Sequence, residues 1–249
     1  MKYAKKRIPM PPLGSSAVDV VLYLASIHHQ AVNLMFLSYD VFPGLDKRAQ
    51  KKLAQSELRI LKKTYAIRKE HGFAFWDVLL TMSIRDGITP LQLLKECTFH
   101  PSSSQARFKK LSLNNISRQK INSYEKSISG KEMIGLCSLV ELPRKKFLHI
   151  PMLDFHCLPK KENLMLVKSS LEMIGEKDGM ILNSGRSYHY YGRELKTQEE
   201  WVDFLGRALL LSPIVDPRYI AHRLIDGWSI LRIFANELKP KEPVVVGYL

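Results

Sequence analysis

Residues 183–192 read NSGRSYHYYG. Asn183-Ser184-Gly185-Arg186 is a turn signal, and the runs Gly179–Leu182 and Ser187–Tyr191 flank it, so the segment predicts a β-hairpin. A strand repeats its faces every two residues, which puts Ser187 and His189 on one side. Upstream, Phe147–Phe155 is an apolar strand ending in Asp154-Phe155-His156, and the same alternation pairs Asp154 with His156. Asn163–Ile174 reads as a helix between them. Downstream, Thr197–Leu211 predicts a helix with Trp201, Phe204 and Leu205 inward. Asp216 opens a stretch in which Tyr219–Leu224 is expected to pair with Ser229–Phe234 across the Asp226-Gly227 turn. Val244–Tyr248 supplies a last strand. Strand, helix, hairpin, helix, hairpin and strand make an α+β sandwich with an antiparallel or mixed sheet.

Asp154, His156, Ser187, His189 and Asp216 can converge on one surface of such a sheet. Carboxylates with imidazoles suit a divalent metal, and a Ser-x-His pair near arginines suits a phosphate. The structural alternatives are that Asp154 caps a turn and His189 is a satisfied core histidine. Tyr188, Tyr190 and Tyr191 either stack on bases or pack the sheet.

IPMLDFH (150–156), NSGRSYHYYG (183–192) and VDPRYIAHRL with ILRI (215–224, 230–233) stand in that order. From Ile150 onward the chain resembles the archaeo-eukaryotic primase superfamily, the primase-polymerases, with an acidic motif, a Ser-x-His motif and an Asp-led motif followed by basic residues. The resemblance implies that Asp154 and Asp216 bind metal, with His156 where a second carboxylate is usual. It implies that Ser187 and His189 grip a nucleoside triphosphate, and that Arg186, Arg223 and Arg232 contact phosphate. A histidine ligand suits manganese, or marks a site that has lost metal-dependent polymerisation. The zinc-binding cysteines common among such primases are lacking.

The 249 residues carry 38 Lys and Arg against 24 Asp and Glu, a net charge of +14. The whole excess lies before Ile150: residues 1–149 hold 25 basic and 11 acidic side chains, and residues 150–249 hold 13 of each. A basic block beside a neutral one predicts a polyanion-binding part and a part with another task. Cys97, Cys137 and Cys157 include no CxxC pair, which excludes a zinc ribbon and argues against a disulfide framework; a reducing, cytoplasmic or nucleoid-associated setting fits. Pro9, Pro11 and Pro12 follow the basic Met1–Arg7 where a signal peptide needs an apolar run. Ala17–Leu37 holds Asp19, His28, His29, Gln30 and Asn33, so it reads as a buried helix capped by Ser15 or Ser16 and not as a membrane span.

A basic helix is expected from an Asp46 cap to Glu70, stopped by Gly72, facing either phosphates or water. FWDVLLTMS (75–83) is a short amphipathic helix. Thr89-Pro90 starts another, and Ser102, Ser103 or Ser104 caps a third over Gln105–Leu111. The run ITPLQLLKECTFHPSSSQARFKKL (88–111) resembles the winged helix-turn-helix of MarR-type regulators. That resemblance places Ser102, Ser103, Ser104, Gln105 and Arg107 near DNA, with Lys109 and Lys110 on the same helix. Met133–Leu142, the basic tip Pro143-Arg144-Lys145-Lys146 and Phe147–Met152 form a hairpin that suits a wing on phosphates. Its second strand is alternatively the first strand of the next domain.

The expected fold class is α+β: a helical, winged-helix-like N-terminal region (1–132, a wing reaching about 149) and a small primase-like domain (150–249). The expected function is nucleic-acid binding, DNA more than RNA, with a degenerate primase-polymerase-like site. If active, it is a nucleotidyltransferase using Mn or Mg, in replication or in mobile-element defence. The alternatives are a non-catalytic subunit with a protein partner in a larger complex, and a nucleotide-sensing transcriptional regulator. No membrane association is expected.

Overall fold

The computed structural model describes residues 9–40, 50–100, 107–128 and 132–249. The chain forms two compact units, one from residues 1–41 with 103–249 and one from residues 42–102. Among the described residues no helix is long and apolar enough to cross a membrane.

The larger unit opens with helix α1 (Ala17–Ile27). Ser16 and Asp19 close a reciprocal capping box there, Asp19 accepting from the Ser16 amide at 3.0 Å. The single helix expected over Ala17–Leu37 stops at Ile27, and NLMFLSYD becomes strand β1 (Asn33–Asp40). Its partners are β2 (Arg107–Ser112) and β3 (Glu132–Leu142), both antiparallel. β3 continues through a tight turn into β4 (Lys146–His149) and also pairs with β8 (Ile230–Arg232). The order is β2-β1-β3-β4, with β8 beside β4 on the same flank of β3.

A second antiparallel sheet holds β5 (Met152–Asp154), β6 (Gly179–Asn183), β7 (Tyr188–Gly192) and β9 (Val244–Tyr248), in the order β5-β7-β6-β9. The inner faces of both sheets share one core with α1: Val20, Val21, Leu24, Leu34, Phe36, Leu136, Val140, Met152, Met180, Leu182 and Tyr191. Each such side chain contributes about 1.5–3 kcal/mol by leaving water. The other face of the second sheet is covered by α6 (Lys161–Met173) and α7 (Gln198–Leu209) through Val167, Leu171, Trp201, Phe204 and Leu205. Two further helices, α5 (Arg118–Lys126) and α8 (Pro217–Asp226), complete this unit.

The smaller unit is helical: α2 (Gln55–His71), α3 (Phe75–Asp86) and α4 (Leu91–Thr98). Ile60, Leu61, Val78, Leu79, Met82 and Leu93 form its own core. Glu57, 4% exposed, accepts from the amides of Ala54, Gln92 and Leu93, so one carboxylate closes the N-termini of α2 and α4.

Several expectations are corrected. Of the helix expected over Gln105–Leu111, the described residues from Arg107 onward form strand β2, because pairing with β1 overrides local helix preference. The helix-turn-helix therefore lacks its second helix over the described part of that segment; Ser102, Ser103, Ser104 and Gln105, like the expected cap Asp46, lie outside the described residues. The hairpin with the basic tip exists, but its first strand lies inside a five-stranded sheet and is no free wing. Phe147–Phe155 is not one strand: Ile150-Pro151 separates β4 in one sheet from β5 in the other. Tyr219–Leu224 is helical, within α8. Asp216 caps that helix, Pro217 takes its first position, and Gly227 ends it at φ +78°, the left-handed geometry a glycine accepts without strain.

Candidate functional site

β5 and β7 are register partners, with Asp154 opposite His189. Both side chains follow the parity of Met152 and Tyr191, which face the shared core, so the pair lies on the inner face of the second sheet. The β6–β7 turn brings in Ser187. Gly185, at φ +99°, allows the chain to reverse, and the Ser184 amide donates to the Ser187 carbonyl at 2.9 Å. Ser187 Oγ then donates to Asp154 Oδ1 at 3.1 Å, and His189 Nε2 stands 3.8 Å from the same oxygen. The Asp216 amide donates to the Asp154 carbonyl at 3.1 Å, which fixes the two acidic segments side by side. Asp216 Oδ1 accepts from the Arg218 and Tyr219 amides at 2.9 and 3.1 Å.

Burial pushes the Asp154 carboxyl up to about 6. The Lys239 ammonium opposes this most strongly, Asp216 adds to it, and the Ser187 hydrogen bond and Arg232 oppose it. His189 is pressed well below the usual histidine range by burial and by the charges of Arg232 and Lys239. At neutral pH the site therefore pairs an ionised carboxylate with a neutral imidazole. Among the described residues His189 Nδ1 is buried without a partner. His149 shows the contrast: its Nδ1 meets Ser138 Oγ at 3.1 Å, its Nε2 meets Gln198 Oε1 at 2.8 Å, and its ring stacks on Trp201. Both of its nitrogens are satisfied, as a structural histidine requires.

The arginines divide. Arg232, 2% exposed, donates to the carbonyls of Ser184, Phe234 and Lys241, binding the β6–β7 turn to the segment after β8. Arg223 pairs with Asp226 at 3.0 Å between the rings of Tyr219 and Trp228, and its Nε and Nη1 are buried without partners among the described residues. Arg186 is exposed at the tip of the turn. Lys239 was not anticipated. Asn236 holds it in a turn, accepting from the Lys239 amide at 2.7 Å, and the only local signal is the turn-prone Asn-Glu-Leu-Lys-Pro. Tyr188, Tyr190 and Tyr191 are buried and pack the sheet; the hydroxyls of Tyr188 and Tyr190 reach the Lys160 carbonyl and Glu176.

His156 lies past the end of β5, its amide donating to the Ile214 carbonyl, and no hydrogen bond or ion pair joins its ring to Asp154 or Asp216 among the described residues. Nor, among them, do three His, Cys, Asp or Glu side chains gather in metal-binding proximity. The donor set is a pair of carboxylates, one of them raised by burial. It fits a magnesium or manganese ion that takes its remaining ligands from substrate phosphates and water, and does not fit a cage built from protein alone.

The other candidates lie on the first sheet. Arg107 pairs with Glu132, and Lys110 with Glu141 at 3.0 Å, while Lys109 is exposed. Arg144 and Lys145 are exposed at φ +62° and +57° in the β3–β4 turn, beside exposed Lys146.

A family model described as AEP-like, archaeo-eukaryotic primase 1D-like, matches residues 112–244, more than half of the chain. Nothing matches among curated proteins or among solved structures. The matched span runs from the end of β2 to the start of β9 and contains Asp154, Ser187, His189 and Asp216. A carboxylate, a hydroxyl and a neutral imidazole meeting across β5 and β7, inside a sequence span of that description, make this chain a member of the archaeo-eukaryotic primase 1D-like family.

Proposed function

We propose that this chain binds nucleic acid and a nucleoside triphosphate and transfers a nucleotide to a strand end. In that reaction a 3′-oxygen bonds to the α-phosphorus, the bond to pyrophosphate breaks, and the hydroxyl proton leaves to solvent. One observation carries the reading: Ser187 from the β6–β7 turn and His189 on the strand paired with β5 flank Asp154, while the backbone of Asp216 is bonded to that of Asp154. Asp154 and Asp216 would hold the magnesium or manganese ion, which when bound neutralises charge developing on the phosphates. The Ser187 hydroxyl and a His189 N–H are neutral donors suited to phosphate oxygens. Lys239 supplies positive charge beside them, and Arg186 is free to reach a phosphate from the turn. Arg232 acts differently from its sequence assignment, shaping the turn that carries Ser187. Arg144, Lys145, Lys146 and Lys109 are proposed backbone contacts for the polymer, since Arg107 and Lys110 already have acidic partners.

The test is nucleotide incorporation on a single-stranded template with manganese or magnesium. Wild type should incorporate, and Asp154→Ala and Asp216→Ala should each lose at least about a hundredfold. Absence of incorporation with either metal, in a protein that still binds nucleic acid, would replace this reading with the non-catalytic subunit. The structural use of Arg232 and the lack of a joined His156 ring favour that second reading.

A further inference from the structure

We propose that the exposed face of α2, formed by Arg59, Lys62, Tyr65 and Lys69, is a docking surface for single-stranded nucleic acid. The helix lies outside the span that matches the family, in the unit of residues 42–102. That unit is held together without this face, by its own apolar core and by Glu57 on two helix ends. The four residues project along one stripe of α2 about 15 Å long. All are exposed, Tyr65 by 46%.

The charges on this stripe are uncompensated in a way a merely solvated helix avoids. Exposed helices are ordinarily laced by opposite charges three or four residues apart. At those spacings Arg59 meets Gln55, Ser56, Lys62 and Lys63; Lys62 meets Leu58, Arg59, Tyr65 and Ala66; and Lys69 meets Tyr65, Ala66, Gly72 and Phe73. No acid stands at any of these positions, and two of the neighbours of Arg59 are like charges that repel it. Among the described residues no acid of the unit pairs with this stripe, and Glu96 lies on α4. Glu57 is buried on backbone amides, and Asp86 takes Lys63 at 2.6 Å and Arg85 at 3.1 Å. Glu70 lies 3.6 Å from His71, and Asp77 sits in the first turn of α3. Among the described residues none of Arg59, Lys62 and Lys69 has an ion-pair partner.

Tyr65 decides which polyanion the surface fits. Its ring stands 5.4 Å from that of Phe75, which meets Trp76 edge-on at 5.0 Å, so the exposed ring is backed by an aromatic cluster. Cations tracking a backbone around a supported aromatic face are what an unpaired strand needs, because its bases are free to stack.

The inference rests on the proposed nucleic-acid role but not on catalysis. The experiment measures binding of the full chain to fluorescent single-stranded DNA and RNA oligonucleotides, and to a duplex, across a salt series. In R59Q/K62Q/K69Q the affinity should fall tenfold or more at about 0.1 M salt, and the log–log salt slope should lessen by about 2. Tyr65→Ala should lower affinity about tenfold at an unchanged slope. Arg207→Gln, on α7 and paired with Asp203, should bind like wild type. Unchanged affinity and slope in the triple variant, while wild type binds, would overturn the surface alone. Tighter binding of duplex than of single strands, with Tyr65→Ala neutral, would overturn the single-strand assignment. Failure of wild type to bind any of the three would overturn this inference and the polymer-binding part of the proposed function together, leaving nucleotide binding at Asp154 to be tested separately.

Discussion

Glu57 and Asp154 are both carboxylates largely withdrawn from water, and the two units treat them in opposite ways. In the helical unit Glu57 receives three backbone amides and finishes two helices. In the sheet unit Asp154 receives one serine hydroxyl, faces an imidazole at 3.8 Å, and keeps 24% of its side chain exposed. The first carboxylate is consumed by structure. The second has acceptor capacity left over, and its raised pKa measures how poorly the fold compensates it. A withdrawn acid that a fold leaves under-compensated is a candidate for chemistry; one that it saturates is a brace.

Arg232 gives the largest expected effect on stability. Replacing it with Met removes the donors of three carbonyls and should destabilise the chain by about 3 kcal/mol. Lysine should not rescue it, because a point charge cannot reproduce a planar fork. Chemical denaturation of Arg232→Met and Arg232→Lys measures this.

Asp154→Asn sharpens the contrast, since it should abolish incorporation yet stabilise the fold. The folded carboxyl binds its proton more tightly than the unfolded one does. Its favourable contribution is therefore complete below the ordinary aspartate value of 3.8 and is lost as pH rises to about 6. At pH 7 the asparagine variant should gain about 2 kcal/mol. His189 runs the other way. Its depressed pKa contributes stability present above 6.5 and lost as pH falls below that value, so His189→Asn should flatten the acid side of a thermal-midpoint profile. Profiles of both variants from pH 4 to 8 check the signs.

Glu57→Ala should cost about 2 kcal/mol, from two unclosed helix ends, with hydrogen exchange rising in α2 and α4. The smallest effect belongs to the β3–β4 turn. Two consecutive left-handed residues favour Asn-Gly, and Arg144-Lys145 is strained there. The double variant R144N/K145G should gain about 1 kcal/mol while binding nucleic acid more weakly. A gain in stability with unchanged affinity would mean that the basic tip is incidental.

Much of the second sheet was legible in local signals. The NSGR turn, the β6–β7 hairpin, α6, α7 with its buried Trp201, and β9 all follow from short-range periodicity and turn chemistry. The first sheet was not legible, because β1 takes partners about 70 and 100 residues away, and RFKKLS carries no alternation that separates strand from helix. α8 stands where a hairpin is expected: Asp216-Pro217 and Gly227 are helix boundary signals, but the Asp-Gly turn points equally to a hairpin. Within the site, the meeting of Asp154 with Ser187 and His189 agrees with the alternation argument. The place of His156 does not, since β5 ends at Asp154. The role of Arg232 left no sequence trace, because its partners are backbone carbonyls, which every residue has.

The insertion of residues 42–102 between β1 and β2 bears on how the chain is assembled. Ser38 of β1 faces Arg107 of β2 across an antiparallel pair that a two-residue turn would be enough to connect. Instead the residues 42–102 intervene there. Strands joined this way carry a large loop-closure entropy unless the intervening stretch folds first and brings its own ends together. A stretch that folds as a unit of its own lowers that cost. A chain in which Asn-Gly replaces residues 42–102 should still fold both sheets, and stopped-flow refolding would show whether it does so faster or slower than the parent.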